Sequence, residues 1–313
     1  MKFLINGSIA YDLLLSHDGS FLRGIDPKNL ERLSVNYLAP GLKRHHGGTA
    51  ANIGWNLALL GARPTLISAV GFDGGAYLEL LADRGVDISR IERIADAMTA
   101  TAIIGADSAE RQISFFHPGA DARGTFPELR DDREEFAYAI MSPRNPVLML
   151  QGAMECAKQK IPYLFDPGQV IHAFGTDEFR RAVSQSAGLV TNEYEWGIAS
   201  KILAWREHDV VQACGMLVVT LGDKGLRILT RDADLLIPAC ATTRFVNPTG
   251  AGDAVRAGLL YGLASGWSLI DTGRLSAILG CYVVEQEGTL LDSLDLGEVQ
   301  SRAVEAYGEK LPL

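Results

Sequence analysis

One glycine-rich turn near the C-terminus combines groups that can hold an anion with a group that can accept a proton. The segment Gly250-Ala-Gly-Asp253 follows Pro248 and precedes a run with helical character. The backbone N–H groups of Gly250, Ala251 and Gly252 should lie unpaired at a helix N-terminus, where the helix dipole favours an anion. We expect the same dipole to keep Asp253 ionised at neutral pH, ready to accept a hydroxyl proton beside that anion. The same residues also fit a simple helix start, with a first-turn Asp and a glycine turn.

Two further segments carry groups that suit a polyol. Gly47 and Gly48 precede a helical pattern in which Thr49 is the expected N-cap. The N–H of Gly48 and the side-chain amide of Asn52 can contact hydroxyl groups, although taken alone the motif fits a helix entry with a hydrogen-bonded Asn better. Asp12 follows an early strand and can accept hydrogen bonds from a vicinal diol, or it can be a solvated loop residue.

Two segments that follow predicted strands suit a nucleotide and its metal. Asn192 and Glu195 share a helix face, where they can order the water shell of Mg²⁺. They also match a capping box, with Asn192 as N-cap. Thr220, Gly222 and Gly225 lie in a turn between two strands, which suits nucleotide phosphates or a tight β connection.

Short apolar runs alternate with helical patterns along most of the chain. Strands are predicted at 3–5, 65–70, 138–141, 163–165, 189–191, 216–220 and 226–229. Helices are predicted at 50–60, 77–83, 147–159, 178–185, 194–203, 251–264 and 271–284. This order predicts an α/β fold with a doubly wound, mostly parallel sheet and helices on both faces.

Two long stretches lack helical periodicity. Residues 11–46 and 98–120 contain strand-like pieces, including a hairpin of 101–105 with 111–117 around the turn 106–110. We predict that they form a small β lid over the ligand-binding edge of the main sheet. The predicted core then comprises residues 1–10, 47–97 and 121–313.

Composition and charge exclude several classes of protein. The net charge of −9 argues against a nucleic-acid or membrane partner, and no apolar run is long enough for a membrane span. The four cysteines fit no zinc template. No P-loop and no dinucleotide-binding glycine fingerprint occurs. The N-terminus lacks the features of a signal peptide, so we expect a cytoplasmic protein.

Taken together, the segments resemble the ribokinase/PfkB family of carbohydrate and nucleoside kinases. The resemblance runs from Asn6 to about Gly288 and rests on six motifs in order. They are Gly7-Ser-Ile-Ala-Tyr-Asp12, Gly47-Gly-x-x-x-Asn52, Gly71-Phe-Asp73, Asn192-x-x-Glu195, Thr220-x-Gly-x-x-Gly225 and Gly250-Ala-Gly-Asp253.

The resemblance implies in-line transfer of the ATP γ-phosphate to a hydroxyl, mostly by positioning and electrostatics. It implies that Asp253 is the base and that residues 250–252 form the anion hole. By the same carry-over, the substrate residues are Asp12, Gly48 and Asn52, the ATP residues are Asn192, Thr220, Gly222 and Gly225, and Glu195 orders Mg²⁺ through water.

One residue departs from the family pattern. The family usually has Asp at the position of Asn247, in a stretch that helps many members to bind a monovalent cation. The missing carboxylate weakens the expectation of K⁺ activation, although Asn247 can still cap the turn.

Several segments look like those of bacterial nucleoside kinases, a subgroup that includes adenosine kinase-like enzymes. They are residues 8–12, 116–120, 165–169 and 256–262. Phe115 and Phe116 alternate across a strand. We expect Phe116 to face the base of a nucleoside, unless both rings fill the lid core. Gln169 is the candidate polar contact to base or ribose.

Three functions follow from this comparison. The first is a nucleoside kinase, with adenosine as the expected substrate. The second is a sugar kinase for ribose, fructose or a similar sugar. The third is a non-catalytic nucleoside-binding protein of the same fold. An open edge of the lid sheet also makes a homodimer through the lid an expectation.

Overall fold

Short apolar runs form the central sheet. The computed structural model describes residues 1–25, 31, 33–109, 111–129 and 136–313. The nine strands of this sheet are β1 (Lys2–Asn6), β4 (Arg63–Gly71), β5 (Ile91–Ile94), β8 (Tyr138–Met141), β9 (Tyr163–Phe165), β10 (Gly188–Asn192), β11 (Met216–Thr220), β12 (Leu226–Thr230) and β13 (Asp234–Ile237). Their order is β13-β12-β11-β10-β9-β8-β1-β4-β5. Pairing is parallel from β11 to β5, and β12 and β13 are antiparallel.

Helices cover the sheet on both faces. They are α1 (Thr49–Leu59), α2 (Gly75–Asp83), α3 (Pro146–Gln159), α4 (Thr176–Ser184), α5 (Glu193–Leu203), α6 (Glu207–Cys214), α7 (Ala251–Ala264), α8 (Leu269–Val284) and α9 (Leu296–Tyr307). No helix in the described ranges is long and apolar enough to cross a membrane. The seven predicted strands and seven predicted helices are all present, with ends shifted by at most two residues.

Strand β1 shows why both faces must be covered. Its side chains alternate, so Phe3 and Ile5 enter one apolar cluster and Leu4 enters another. The first cluster includes α1, α2, α7 and α8, whereas the second includes α3 to α6. A doubly wound sheet follows from this two-sided burial, which contributes about 1.5–3 kcal/mol for each large apolar side chain.

A smaller, four-stranded sheet uses the two stretches that lack helical periodicity. Its strands are β2 (Ala10–Ser16), β3 (Gly41–Gly47), β6 (Ala100–Ala106) and β7 (Gln112–His117), in the order β3-β2-β6-β7. Strands β6 and β7 form the predicted hairpin, and β2 pairs with β6 in parallel. Residues 26–30 and 32 of the predicted lid, and residue 110 of its hairpin turn, lie outside the described residues. The division into core and lid stays a prediction.

The parallel strands deliver polar residues to one edge of the large sheet. Neighbouring strands β10 and β11 end at Asn192 and Thr220, and Asp166 directly follows β9. Because parallel strands end at the same edge, these residues lie on one side of the fold, where open α/β sheets bind ligands.

A buried ion pair connects that edge to the loop after β7. Arg144 Nη2 lies 2.6 Å from Asp121 Oδ1, and Arg144 Nη1 donates to Asn6 Oδ1 at 2.9 Å and to Ile67 O at 3.1 Å. Both charged residues are less than 5% exposed. Burial raises the pKa of Asp121, and the charge of Arg144 opposes that rise.

Replacing the cation should destabilise the fold. We expect Arg144→Leu to lower the free energy of unfolding in urea by about 3–5 kcal/mol, because Asp121 is left as a buried, unpaired charge. The loss should shrink at acidic pH, where Asp121 is protonated. The matched control is Lys158→Met, which breaks exposed pairs with Glu155 and Glu128 and should change stability by less than about 1 kcal/mol. Equal effects in both variants would contradict this account of the buried pair.

Candidate active site

A cavity of about 720 Å³ opens at the carboxyl edge of the large sheet. Its walls bring together nine residues that were predicted to bind ligands: Gln169, Asn192, Glu195, Thr220, Gly222, Gly225, Ala251, Gly252 and Asp253. Five other predicted residues do not line it: Asp12, Gly48, Asn52, Phe116 and Gly250. Motifs far apart in sequence therefore form one site, and the predicted acceptor residues Asp12, Gly48, Asn52 and Phe116 lie outside its lining.

Asp253 lies in the first turn of α7 and is held from the side by Asn52. Asn52 Nδ2 donates to Asp253 Oδ2 at 2.7 Å, while Asn52 Oδ1 accepts from Thr289 Oγ1, also at 2.7 Å. Asn52 and Thr289 are buried. Asn52 was expected to contact substrate hydroxyls, but here both ends of its amide are engaged by the protein. In this structure it positions Asp253.

Burial opposes the expected ionisation of Asp253 at neutral pH. Removal from water raises the pKa of Asp253 to about 7, against the lowering effect of the hydrogen bond from Asn52 and of the Arg256 charge. The negative charges of Asp166 and Asp12 add to the rise. The helix dipole is a smaller effect than this desolvation, since a dipole contributes about 0.3–2 kcal/mol.

Arg256 and Asp166 form a buried ion pair in the cavity wall that sequence reasoning did not assign to the site. Arg256 Nε and Nη2 donate to the two carboxylate oxygens of Asp166 at 2.8 and 3.0 Å, and Nη1 donates to Gly252 O at 3.1 Å. The pair ties the first turn of α7 to the end of β9. The available signals were an Arg one helical turn after Asp253 and an Asp directly after a buried strand.

The glycine turn differs from prediction at one amide. Gly250 has φ +86°, and a Cβ there would lie 2.8 Å from Thr289 Cβ, so glycine is required. The N–H of Ala251 donates to Pro248 O at 3.2 Å and is therefore not a free anion donor, contrary to expectation. Asn247 Oδ1 accepts from Thr249 N at 2.9 Å, which caps the turn as anticipated.

The start of α1 also differs from prediction. The N-cap position is Gly48, with φ +94°, and a Cβ there would lie 2.6 Å from Ser8 O. Thr49 is the first helical residue rather than the cap. Its Oγ1 donates to Pro143 O at 3.1 Å. The close backbone approach explains the second glycine of this motif.

Asp12 lies near Asp253, on strand β2. It stands opposite His45 in the β2–β3 register, and its negative charge raises the pKa of Asp253. Burial raises the pKa of Asp12 itself, and His45 partly offsets the rise. The carboxyl group of Asp12 is therefore partly desolvated and lies near Asp253. A hydrogen bond from a substrate hydroxyl would compensate for the lost water.

Asn192 and Glu195 form the capping box and also face the cavity. Asn192 N donates to Glu195 Oε2, and Glu195 N donates to Asn192 Oδ1, both at 2.8 Å. Burial and then the charge of Asp166 raise the pKa of Glu195. Glu195 and Asn192 can order the water shell of a cation, and the described ranges hold no cluster of three or more metal-ligating side chains. That set suits Mg²⁺ held mainly through water and phosphate.

Phe116 is on the edge strand of the small sheet. Phe115 and Phe116 are 68% and 57% exposed, so the alternative that both rings fill the lid core is wrong. All six residues of β7 are exposed. The contact of Phe116 with a base and a homodimer through this edge both stay predictions.

Comparison with known proteins identifies the family of this chain. Residues 19–295 match the profile of the "pfkB family carbohydrate kinase". The chain belongs to the pfkB family. As a member, it is a phosphotransferase whose acceptor is a hydroxyl group. The ribokinase-like fold and the resemblance to nucleoside kinases are confirmed.

Two relatives resemble this pfkB-family chain over most of their length. A nucleoside kinase of Methanothermobacter thermautotrophicus is 33% identical over 87% of this chain and 89% of its own. The structure of Burkholderia thailandensis nucleoside kinase in complex with inosine is 31% identical, with a TM-score of 0.87 over 98% of this chain and 99% of its own. The same Burkholderia protein has a structure in complex with ADP-inosine, with a TM-score of 0.85 and coverage of 99% and 97%.

The Thr289 hydroxyl should tune the proton affinity of Asp253. Thr289→Val keeps the shape but removes the hydrogen bond to Asn52, so the Asn52 amide should hold Asp253 less firmly. Because that amide lowers the pKa of Asp253, we expect the acid limb of the kcat/KM profile to move up by roughly 0.5–1 pH unit. Thr289→Ser keeps the hydroxyl and should retain the normal profile. A Val profile that superimposes on that of the unmodified protein would contradict this role of Thr289.

Proposed function

We propose that this enzyme transfers the γ-phosphate of ATP to the 5′-hydroxyl of a nucleoside, with Mg²⁺, and that adenosine is a substrate. One observation carries the proposal. The Asp253 carboxyl lies in the wall of a large cavity, beside a glycine turn at a helix N-terminus. A proton acceptor beside an anion-binding turn is the arrangement that phosphoryl transfer to a hydroxyl requires.

The acceptor hydroxyl is deprotonated at Asp253. Because Asn52 holds Oδ2, Oδ1 is the oxygen left to receive the hydroxyl proton. The N–H of Gly252, in the first turn of α7, and the helix dipole stabilise negative charge on the phosphate oxygens. A pKa of about 7 lets Asp253 be ionised in about half of the molecules at neutral pH, and more fully above it. Activity should therefore rise with pH up to and beyond 7.

Two segments bear on cation binding, one for Mg²⁺ and one for K⁺. Asn192 and Glu195 would hold Mg²⁺ through water, and the bound ion would neutralise charge on the phosphates. K⁺ has less support, because the Asn247 side chain carries no charge and its Oδ1 already accepts from Thr249 N. We expect little K⁺ dependence.

The nucleoside is supported by the relatives and by this chain's own residues. Both relatives are nucleoside kinases, and the Burkholderia structures contain inosine. Gln169 lines the cavity and can contact a base or ribose, and Asp12 supplies a carboxyl group for a diol. Because the Burkholderia structures contain inosine, inosine is tested together with adenosine.

The role of Asp253 has a direct test. Asp253→Asn should lower kcat by roughly 10²–10⁴-fold, the usual contribution of a general base, with nucleoside binding largely kept. The control is Asp271→Asn, another first-turn Asp, at the start of α8, which should keep kcat within about twofold. Near-normal turnover in Asp253→Asn would remove that residue from the base role.

A substrate panel tests the nucleoside assignment. Adenosine, inosine, guanosine, cytidine, ribose and fructose are each supplied with ATP and Mg²⁺, and ADP release is measured. We expect turnover of at least one purine nucleoside above both sugars. Turnover of sugars alone would establish the sugar-kinase alternative, and nucleoside binding without ADP release would establish the non-catalytic one.

A further inference from the structure

Two cysteines from separate segments meet in the wall of the cavity. Cys240 follows β13, and Cys281 lies in the last turn of α8. They are 7% and 4% exposed, so their sulfur atoms are almost enclosed by the protein while the two residues line the cavity. The other two cysteines, Cys156 and Cys214, do not line it.

The two thiols are neighbours around one backbone carbonyl group. Each side chain shifts the pKa of the other. Both sulfur atoms also lie near one backbone oxygen, Ala241 O, at 3.7 Å from Cys240 and 3.3 Å from Cys281. Two cysteines on separate segments whose sulfur atoms are neighbours can be joined by a disulfide bond.

A cation lies against this pair. Arg302 Nη1 donates to Cys281 Sγ at 3.0 Å, and Nη2 donates to Glu285 Oε2 at 2.6 Å. A guanidinium beside a sulfur stabilises thiolate, which is the form that attacks disulfides. The Cys281 thiol lowers the pKa of Cys240 to about 7, and the Cys240 thiol raises the pKa of Cys281. The pair therefore loses one proton readily and the second with difficulty.

Cys156 has the opposite environment. It is buried among apolar side chains on the other face of the sheet, where loss of water raises its pKa to about 12. Burial also raises the pKa of Cys214. Reactivity should therefore be confined to the pair in the cavity wall.

We propose that Cys240 and Cys281 are a site of reversible oxidative modification, at which a low-molecular-weight disulfide converts the two thiols into a protein disulfide. One thiolate attacks a sulfur of the small disulfide, so that a mixed disulfide forms and one small thiol leaves. The second cysteine then attacks the protein sulfur of the mixed disulfide and displaces the other small thiol. Two electrons pass from the protein to the oxidant, and each cysteine loses its proton.

The new bond would change the cavity wall beside Gly225, one of the predicted ATP residues, because a Cβ on Gly225 would lie 2.6 Å from Ala239 N. It would join α8 to the segment 239–242, and both contribute to the wall next to Phe245 and Val284. A disulfide would fix the distance between α8 and the segment 239–242. We expect this to weaken ATP binding and to leave the region of Asp12 and Asn52 unaffected. This consequence rests on the proposed use of ATP, whereas formation of the disulfide does not.

Peptide mapping tests the modification itself. The full chain is treated with oxidised glutathione, its remaining thiols are alkylated after unfolding, and it is digested with trypsin without reduction. The four cysteines fall in separate peptides, with Cys240 in 232–244 and Cys281 in 275–302. We expect these two peptides to be linked, with Cys156 and Cys214 alkylated. A link to Cys214, or four alkylated cysteines, would overturn the proposal.

Kinetics test the consequence. Oxidation should raise KM for ATP at least severalfold, change KM for the nucleoside little, and be reversed by dithiothreitol. Cys240→Ser and Cys281→Ser, each compared with its own untreated activity, should not respond, whereas Cys214→Ser should respond like the unmodified chain. An unchanged KM for ATP in mapped, cross-linked protein would overturn the effect on ATP binding. Because the map needs no turnover, a failure of the kinase assignment leaves the disulfide test intact.

Discussion

The site depends on one partly buried hydrogen bond, from the amide of Asn52 to the carboxylate of Asp253. That bond joins the first turns of α1 and α7, whose residues are separated by 201 positions in the chain. It fixes one oxygen of Asp253 and leaves the other for a hydroxyl group. A glycine at the start of each helix makes this contact possible. Gly48 lets the backbone at Ser8 approach the start of α1, and Gly250 lets Thr289 approach the start of α7.

Charges of both signs surround Asp253 and have opposite effects on its proton affinity. The positive charge of Arg256 favours the ionised form of Asp253. Asp166 offsets that charge, because its carboxylate accepts two hydrogen bonds from Arg256. Desolvation is then the largest remaining effect, and the pKa of Asp253 rises to about 7. A base poised near neutral pH can both accept a proton from a hydroxyl and return it to solvent after transfer.

Local signals predicted much of the fold and part of the site. The apolar strands and amphipathic helices follow from patterns within a few residues, and their order predicts the doubly wound sheet. Strands β5 and β13 have four residues each, include charges and lie at the sheet edges, so no apolar run marks them. Helix α6 buries only Val210 and Val211, too few residues for a clear helical period.

The chemical state of the site could not be predicted from those signals. The ionisation of Asp253 is governed by distant residues, and the partner of Arg256 lies 90 positions away. Asn52 likewise has a positioning role that local signals could not indicate, because its partners Asp253 and Thr289 lie 201 and 237 positions away. These residues meet only after folding has brought the carboxyl ends of the strands to one edge of the sheet.

The central claim is that Asp253 is a carboxyl group whose pKa burial raises to about 7. Its direct test is a pH titration of the side-chain ¹³C resonances of aspartate-labelled protein, with the Asp253 signal assigned by its loss in Asp253→Asn. We predict that this resonance titrates with a midpoint near 7. A midpoint near the ordinary aspartate value of about 3.9 would contradict the account.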